Sequence, residues 1–181
     1  MQKYKRRHQT SYSQGFTILE VMVVLSIIAL LSAIGAPSIM QTLRHQQLKG
    51  SLQTSYFLLQ QAKSTAITKN KKITVQFKKG DNWCIALSDA GPCDCQSKSM
   101  CSVDEIEYRV SAEDFPNISF SNVTMGKDQA ITFDGVRGTA IGNAGSGLFS
   151  NGSEAAKLII SNLGRVRICM QSGQLGAFQP C

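Results

Sequence analysis

The chain has 181 residues, 43% hydrophobic and 17% charged, with a formal net charge of +7. That length accommodates one modest domain plus an anchoring helix and excludes two large domains. Lys3, Lys5, Arg6 and Arg7 carry four of the positive charges ahead of the apolar N-terminal stretch; without them 15 basic residues face 12 acidic ones, a net +3 that does not by itself imply a nucleic-acid partner.

Residues 21–43 contain no charge, and the apolar character runs from Phe16 to about Met40. As a helix, that run reaches roughly 37 Å at ~1.5 Å per residue, enough to cross a bilayer core. The basic leader stays on the cytoplasmic side by the positive-inside tendency. A secretory signal would have a shorter apolar run and a small-residue cleavage site, which Ser32-Ala33-Ile34-Gly35-Ala36 imitates. Two residues argue against that alternative. Gly15 marks the junction between polar leader and apolar run, and Glu20 sits inside the run. A carboxylate in a membrane helix costs about 2.5–3.5 kcal/mol and is kept when it has a partner. A new α-amino group on Phe16 of a neighbouring subunit would be such a partner, and it requires cleavage before the apolar run.

The segment Gly15-Phe16-Thr17-Ile18-Leu19-Glu20, followed by an unbroken apolar helix, resembles the class III signal of type IV pilins and type II secretion pseudopilins. The resemblance implies cleavage between Gly15 and Phe16 by a prepilin peptidase, N-methylation of Phe16, and guidance of subunit docking by Glu20. Pro37 matches the proline that bends the pilin helix.

After Pro37 the pattern turns amphipathic. Leu48, Leu52, Tyr56, Leu59, Ala62 and Ala66 recur every three or four residues, which predicts one buried helical stripe. Lys69-Asn70-Lys71-Lys72 ends a helix expected over about 17–69, with cations suited to its C-terminal dipole. Beyond it the period becomes two. Ile73, Val75 and Phe77, then Trp83, Ile85 and Leu87, flank the turn Lys79-Gly80-Asp81 and predict a β-hairpin. A loop follows over 88–104, then strand candidates with Ile106, Tyr108 and Val110, at 117–124 and at 130–134. The last pair, 157–161 and 165–170, is joined by Asn162-Leu163-Gly164. One helix followed by strands predicts an α+β head in which antiparallel sheet packs on the helix, and the resemblance to pilins implies that this is the type IV pilin fold. The expected divisions are a leader over 1–15, a membrane and filament-core helix over 16–42, and a head over 43–181.

Cys84, Cys93, Cys95, Cys101, Cys169 and Cys181 all follow the apolar segment and read as up to three disulfides of an exported domain. A zinc site is disfavoured because His8 and His45, the two histidines, lie far from the cluster. Cys169–Cys181 is the favoured pair, closing a short C-terminal loop. Cys93 and Cys95 are too close to pair with each other, and the remaining connectivity is open.

No catalytic constellation emerges, and no cofactor or metal is implied. The head has no histidine past His45, and Asp104, Glu105, Glu107, Glu113 and Asp114 read as a solvated acidic surface. The Gly142-Asn143-Ala144-Gly145-Ser146-Gly147 run lacks the Lys-Ser/Thr of a phosphate loop and is expected to be a mobile loop. The C-terminal hairpin is more informative. Gly164 permits the turn, and Arg165 and Arg167 then share one strand face ~7 Å apart, opposite Val166 and Ile168. Two guanidinium groups so placed can contact neighbouring phosphates bidentately. The plainer alternative is a solvated strand face.

The head resembles the GspH/FimT-type minor pilins, including Thr132-Phe133-Asp134-Gly135-Val136-Arg137-Gly138. Gly164-Arg165-Val166-Arg167 looks like the Gly-Arg-x-Arg motif of FimT-type pilins that bind DNA during natural transformation. That resemblance implies a minor pilin in the inner membrane, its head periplasmic and later at the cell surface. Its partners would be other pilin subunits, prepilin peptidase and double-stranded DNA, without sequence readout. Lys157 and Arg137 are candidate extensions of the basic surface, as are Lys69, Lys71 and Lys72. The alternative is a structural subunit that primes pilus or type II secretion pseudopilus assembly and binds no DNA.

Overall fold

The computed structural model describes residues 15–176 and 178–181, leaving aside the side chains of 34–38. The basic leader before Gly15 and the side chain of Pro37 thus lie outside the described residues. The chain divides into two compact units, Met1–Met40 and Gln41–Cys181. Helix α1 is assigned over Ile18–Lys69.

In the first unit Thr17 caps the helix: its Oγ1 accepts the Glu20 backbone N–H at 3.2 Å. Thr17-Ile18-Leu19-Glu20 has the Thr-x-x-Glu spacing of a capping box, and the Glu20 carboxylate also suits the positive helix end. The apolar side chains of this unit are exposed among the described residues, Phe16 by 82% and Ile18 by 83%. Among the described residues no helix is long and apolar enough to cross a membrane.

The second unit is α+β. Its part of α1 buries Leu48, Leu52, Leu59, Ala62 and Ala66, the predicted stripe, while Tyr56 is half-buried at its edge. Among the described residues eight short strands follow: β1 (Ile73–Lys78), β2 (Cys84–Ser88), β3 (Arg109–Ser111), β4 (Ser119–Ser121), β5 (Ala130–Phe133), β6 (Gly145–Ser150), β7 (Ala155–Ile160) and β8 (Val166–Ser172). They form two four-stranded sheets, ordered β3-β2-β1-β5 and β4-β6-β7-β8, with every named pairing antiparallel. The Gly80 N–H donates to the Phe120 carbonyl at 2.8 Å and laces one sheet to the other.

The core lies between sheets and helix. Trp83 meets Phe149 edge-on at 5.1 Å, and Phe149 meets Phe120 at 4.4 Å. The Trp83 indole N–H is satisfied by the Ile118 carbonyl at 2.7 Å, so its burial leaves no orphan donor.

Two local expectations are corrected. Ile106 belongs to no strand; it is 56% exposed and pairs only with Val103 in an isolated bridge, so β3 is shorter than its alternation suggested. The glycine run is a loop only over 142–144, since Gly145 and Gly147 lie in β6, where they face Ile160 and Leu158 of β7. A Cβ on Gly147 would stand 2.3 Å from the Phe120 ring, and one on Gly145 2.5 Å from the Thr124 carbonyl oxygen. These glycines admit close neighbours, which is the positional meaning of glycine inside a strand.

Candidate functional site

The C-terminal hairpin is built by β7 and β8. Ile160 faces Val166, Ile159 faces Arg167 and Lys157 faces Cys169. Directly opposed residues share a sheet face, so Lys157, Ile159, Arg167 and Cys169 lie on one side. Leu158, Ile160 and Val166 turn into the core on the other. The turn closes through Gly164 N–H to the Ser161 carbonyl (2.8 Å) and Ser161 N–H to the Arg165 carbonyl (3.0 Å). Gly164 has φ +70°, where a side chain is disfavoured. Arg165 and Arg167 are exposed. Among the described residues neither guanidinium has an ion-pair or hydrogen-bond partner, nor do the charged groups of Lys157 and Arg137.

Arg137 comes to this site from a separate segment. The Asp134 carboxylate accepts the N–H groups of Val136 (3.2 Å) and Arg137 (2.8 Å), an Asx-type turn. That loop docks on the hairpin turn: Ala140 N–H donates to the Asn162 carbonyl at 2.8 Å, and Gly142 N–H to its side-chain oxygen at 3.2 Å. Gly138 and Gly164 touch backbone to backbone, for a Cβ on Gly164 would stand 2.1 Å from the Gly138 carbonyl oxygen. Arg137 and Arg165 are each the chain neighbour of one of these glycines. Lys72 lines the same open groove as Arg137. Lys69 is instead paired with Asp104.

Lys63 is a member that sequence reasoning missed. Its Nζ donates to the Gly164 carbonyl at 3.2 Å. Helical periodicity places Lys63 beside the buried stripe, but no local signal joins it to a turn a hundred residues later.

The charges are segregated along the chain. Residues 73–134 hold ten acids and five bases, whereas 135–181 hold four bases and one acid. That acid, Glu154, is occupied: its carboxylate meets His45 Nδ1 at 3.1 Å and accepts from Asn151 Nδ2 at 3.2 Å. The C-terminal hairpin therefore carries a local excess of positive charge that the net figure conceals.

All six cysteines are bonded in pairs: Cys84–Cys95, Cys93–Cys101 and Cys169–Cys181. The last ties the tail beside β8, where Met170 N–H donates to the Gln179 carbonyl (2.8 Å) and Cys181 N–H to the Met170 carbonyl (2.9 Å). Cys84–Cys95 fastens the 88–104 loop to β2, and Cys93–Cys101 closes that loop on itself. The sulfurs are thereby withdrawn from metal binding, and among the described residues no cluster suited to a metal forms.

Gly15, Phe16 and Glu20 lie in the first unit and are exposed. The family described as Type II transport protein GspH matches residues 54–164, well over half of the chain. This chain belongs to the GspH family. The prokaryotic N-terminal methylation motif matches residues 10–36, a window that holds Gly15, Phe16 and Glu20. The GspH-family chain is 54% identical over 41 residues to the prepilin peptidase-dependent protein D of Escherichia coli K12, an overlap of 23% of this chain. It spans just over a quarter, 28%, of that relative's length. It is also similar to the crystal structure of the type IV minor pilin FimU of Pseudomonas aeruginosa, at 16% identity and a TM-score of 0.46, covering 66% of this chain and 90% of that one. This GspH-family protein carries a methylation motif ahead of its α+β head.

Proposed function

We propose that this GspH-family chain is a minor type IV pilin whose head binds extracellular double-stranded DNA through phosphate contacts and supports its uptake in natural transformation. The observation that carries the reading is the pair Arg165 and Arg167, exposed and without acidic partners among the described residues, Arg165 just ahead of β8 and Arg167 within it. Lys157 on the facing strand and Arg137 on the docked loop extend the surface. Unpaired guanidinium groups on rigid backbone suit phosphate oxygens, and phosphate contacts position a protein without reading sequence.

In this reading a prepilin peptidase cuts between Gly15 and Phe16, and Phe16 becomes N-methylated. The apolar segment then anchors the subunit across the inner membrane until it joins other pilin subunits. The Glu20 carboxylate pairs with the amino terminus of a neighbouring Phe16. The uniformly exposed apolar side chains of 18–31 support burial in a bilayer and then in a filament. The protein acts by binding and assembly, not catalysis.

The test compares duplex binding by the wild-type head, residues 43–181, with Arg165→Gln/Arg167→Gln. Loss of two phosphate contacts is expected to weaken binding about tenfold or more at moderate salt. Equal binding by the two proteins removes the DNA reading. A second reading, a structural subunit that primes pilus or pseudopilus assembly, is favoured by the same exposed apolar stretch and needs no basic hairpin. Loss of pili or of enzyme secretion in a deletion strain supports it, whereas normal pili with lost transformation count against it.

A further inference from the structure

Lys63 occupies an unusual place for a lysine. It is half-buried on α1, between Leu59 and Ala66 of the core stripe. Its stem lies across Gly138: a Cβ there would be 2.9 Å from Lys63 Cγ and 3.0 Å from its Cε. Beyond Gly138 the ammonium reaches the Gly164 carbonyl at 3.2 Å. One side chain thus crosses the Arg137 loop and ends on the turn that leads into Arg165.

The peptide bond between Gly164 and Arg165 is planar, so fixing both of its polar atoms fixes its orientation. Lys63 holds the oxygen end. The Ser161 hydroxyl accepts the Arg165 N–H at the other end, 3.2 Å away. Gly138 and Gly164 press together beneath, the Gly138 carbonyl oxygen standing where a Cβ on Gly164 would need to be.

We propose that Lys63 is a positioning residue for the DNA site: its ammonium locks the Gly164–Arg165 peptide and pins the Arg137 loop against it, so that guanidinium groups from two segments present one surface to a duplex. This rests on the DNA reading of the hairpin. Lys63 acts through Arg165 and not as a phosphate contact of its own, because its ammonium is directed inward to a carbonyl. The charge-assisted bond it makes there is of the stronger kind.

The full chain in detergent micelles is compared as wild type, Lys63→Met, which keeps the stem and loses the donor, and Lys63→Arg, which keeps a donor. Without DNA, amide hydrogen exchange at Arg165 is expected to quicken about tenfold in Lys63→Met and to return toward wild type in Lys63→Arg. Unchanged exchange in Lys63→Met overturns the proposal, showing that the stem alone matters. Duplex affinity is then measured for Lys63→Met, Arg165→Gln and the double variant. Lys63→Met is expected to weaken binding about three- to tenfold alone and to add nothing once Arg165 is gone. Additive losses would instead make Lys63 a direct phosphate contact and overturn the positioning role. Failure of wild type to bind duplex removes the DNA reading and the functional half of the proposal with it, while the exchange experiment still decides whether Lys63 pins the turn.

Discussion

The Gly138 carbonyl oxygen occupies the space a Cβ on Gly164 would need, 2.1 Å from where that carbon would stand. Two segments separated by β6 and β7 therefore meet through bare backbone. Each is followed or preceded by an arginine, so the contact brings Arg137 and Arg165 to one end of the head. The same glycine that permits the hairpin turn also permits this approach.

Substituting Gly164→Ala tests the contact. The new methyl meets the Gly138 oxygen, and the residue must also hold φ +70°. Strain at such a position costs about 1–3 kcal/mol, and the collision adds to it. Urea unfolding of the head is expected to show a lower midpoint with an unchanged slope. A midpoint equal to wild type would mean that the two loops separate easily.

Much of this head was legible in the sequence because its periodicities are strong. The three- and four-residue spacing of Leu48, Leu52, Leu59, Ala62 and Ala66 gave the helix face, and the alternation of Ile73, Val75 and Phe77 gave the first hairpin. The glycine run at 142–147 misled for a physical reason. Glycine marks both mobile loops and crowded strands, and only the Phe120 ring lying over Gly147 decides between them. At the site, Arg165 and Arg167 could be seen because their spacing is local. The proximity of Arg137 and the reach of Lys63 could not, since each depends on a contact between segments far apart in the chain.

The β6 packing predicts that Gly147→Ala destabilises the head. Its methyl would stand 2.3 Å from a Phe120 ring that is held against Phe149, Trp83 and Phe77 and has little room to retreat. Overpacking of this kind costs about 1–3 kcal/mol. Thermal melts of the purified head check it. Gly152→Ala, where nothing stands within 4 Å but φ is +90°, isolates the cost of backbone conformation alone.

Breaking the Cys169–Cys181 bond by Cys181→Ser is expected to free the tail before it unfolds the sheet. The bond spans twelve residues, and closing a loop of that order stabilises by about 3 kcal/mol. Met170 N–H, which donates to the Gln179 carbonyl, should lose exchange protection first. Ile160 and Val166, on the far end of the hairpin, should keep theirs. Uniform loss of protection across β7 and β8 would show that the tail holds the whole sheet edge.

Asp94 supplies a pH test in the disulfide loop. The Gln96 backbone N–H, then the Ser97 hydroxyl and the Lys78 ammonium, hold its carboxyl below the ordinary 3.8. A depressed carboxyl contributes stability above its unfolded value, and that contribution is lost as pH falls through the lower folded value. The amides of Gln96 and Ser97 are expected to shift in an NMR titration with a midpoint below 3.8, and Asp94→Asn should abolish that step. A midpoint at or above 3.8 counts against the hydrogen-bonded loop.

Salt dependence distinguishes a phosphate surface from adventitious stickiness. If Arg137, Lys157, Arg165 and Arg167 each neutralise a phosphate, log K against log salt falls with a slope of about −3.6. Affinity then drops about 10²-fold between 50 and 200 mM salt. Arg165→Gln/Arg167→Gln should flatten the slope by about 1.8, because two counterions fewer are released per duplex bound. Lys69→Gln should leave it unchanged, since that ammonium is already paired with Asp104. Titrations of a fluorescent duplex at four salt concentrations give all three slopes. A wild-type slope near zero would mean that few phosphate counterions are released, and the exposed arginines would then answer to some other partner.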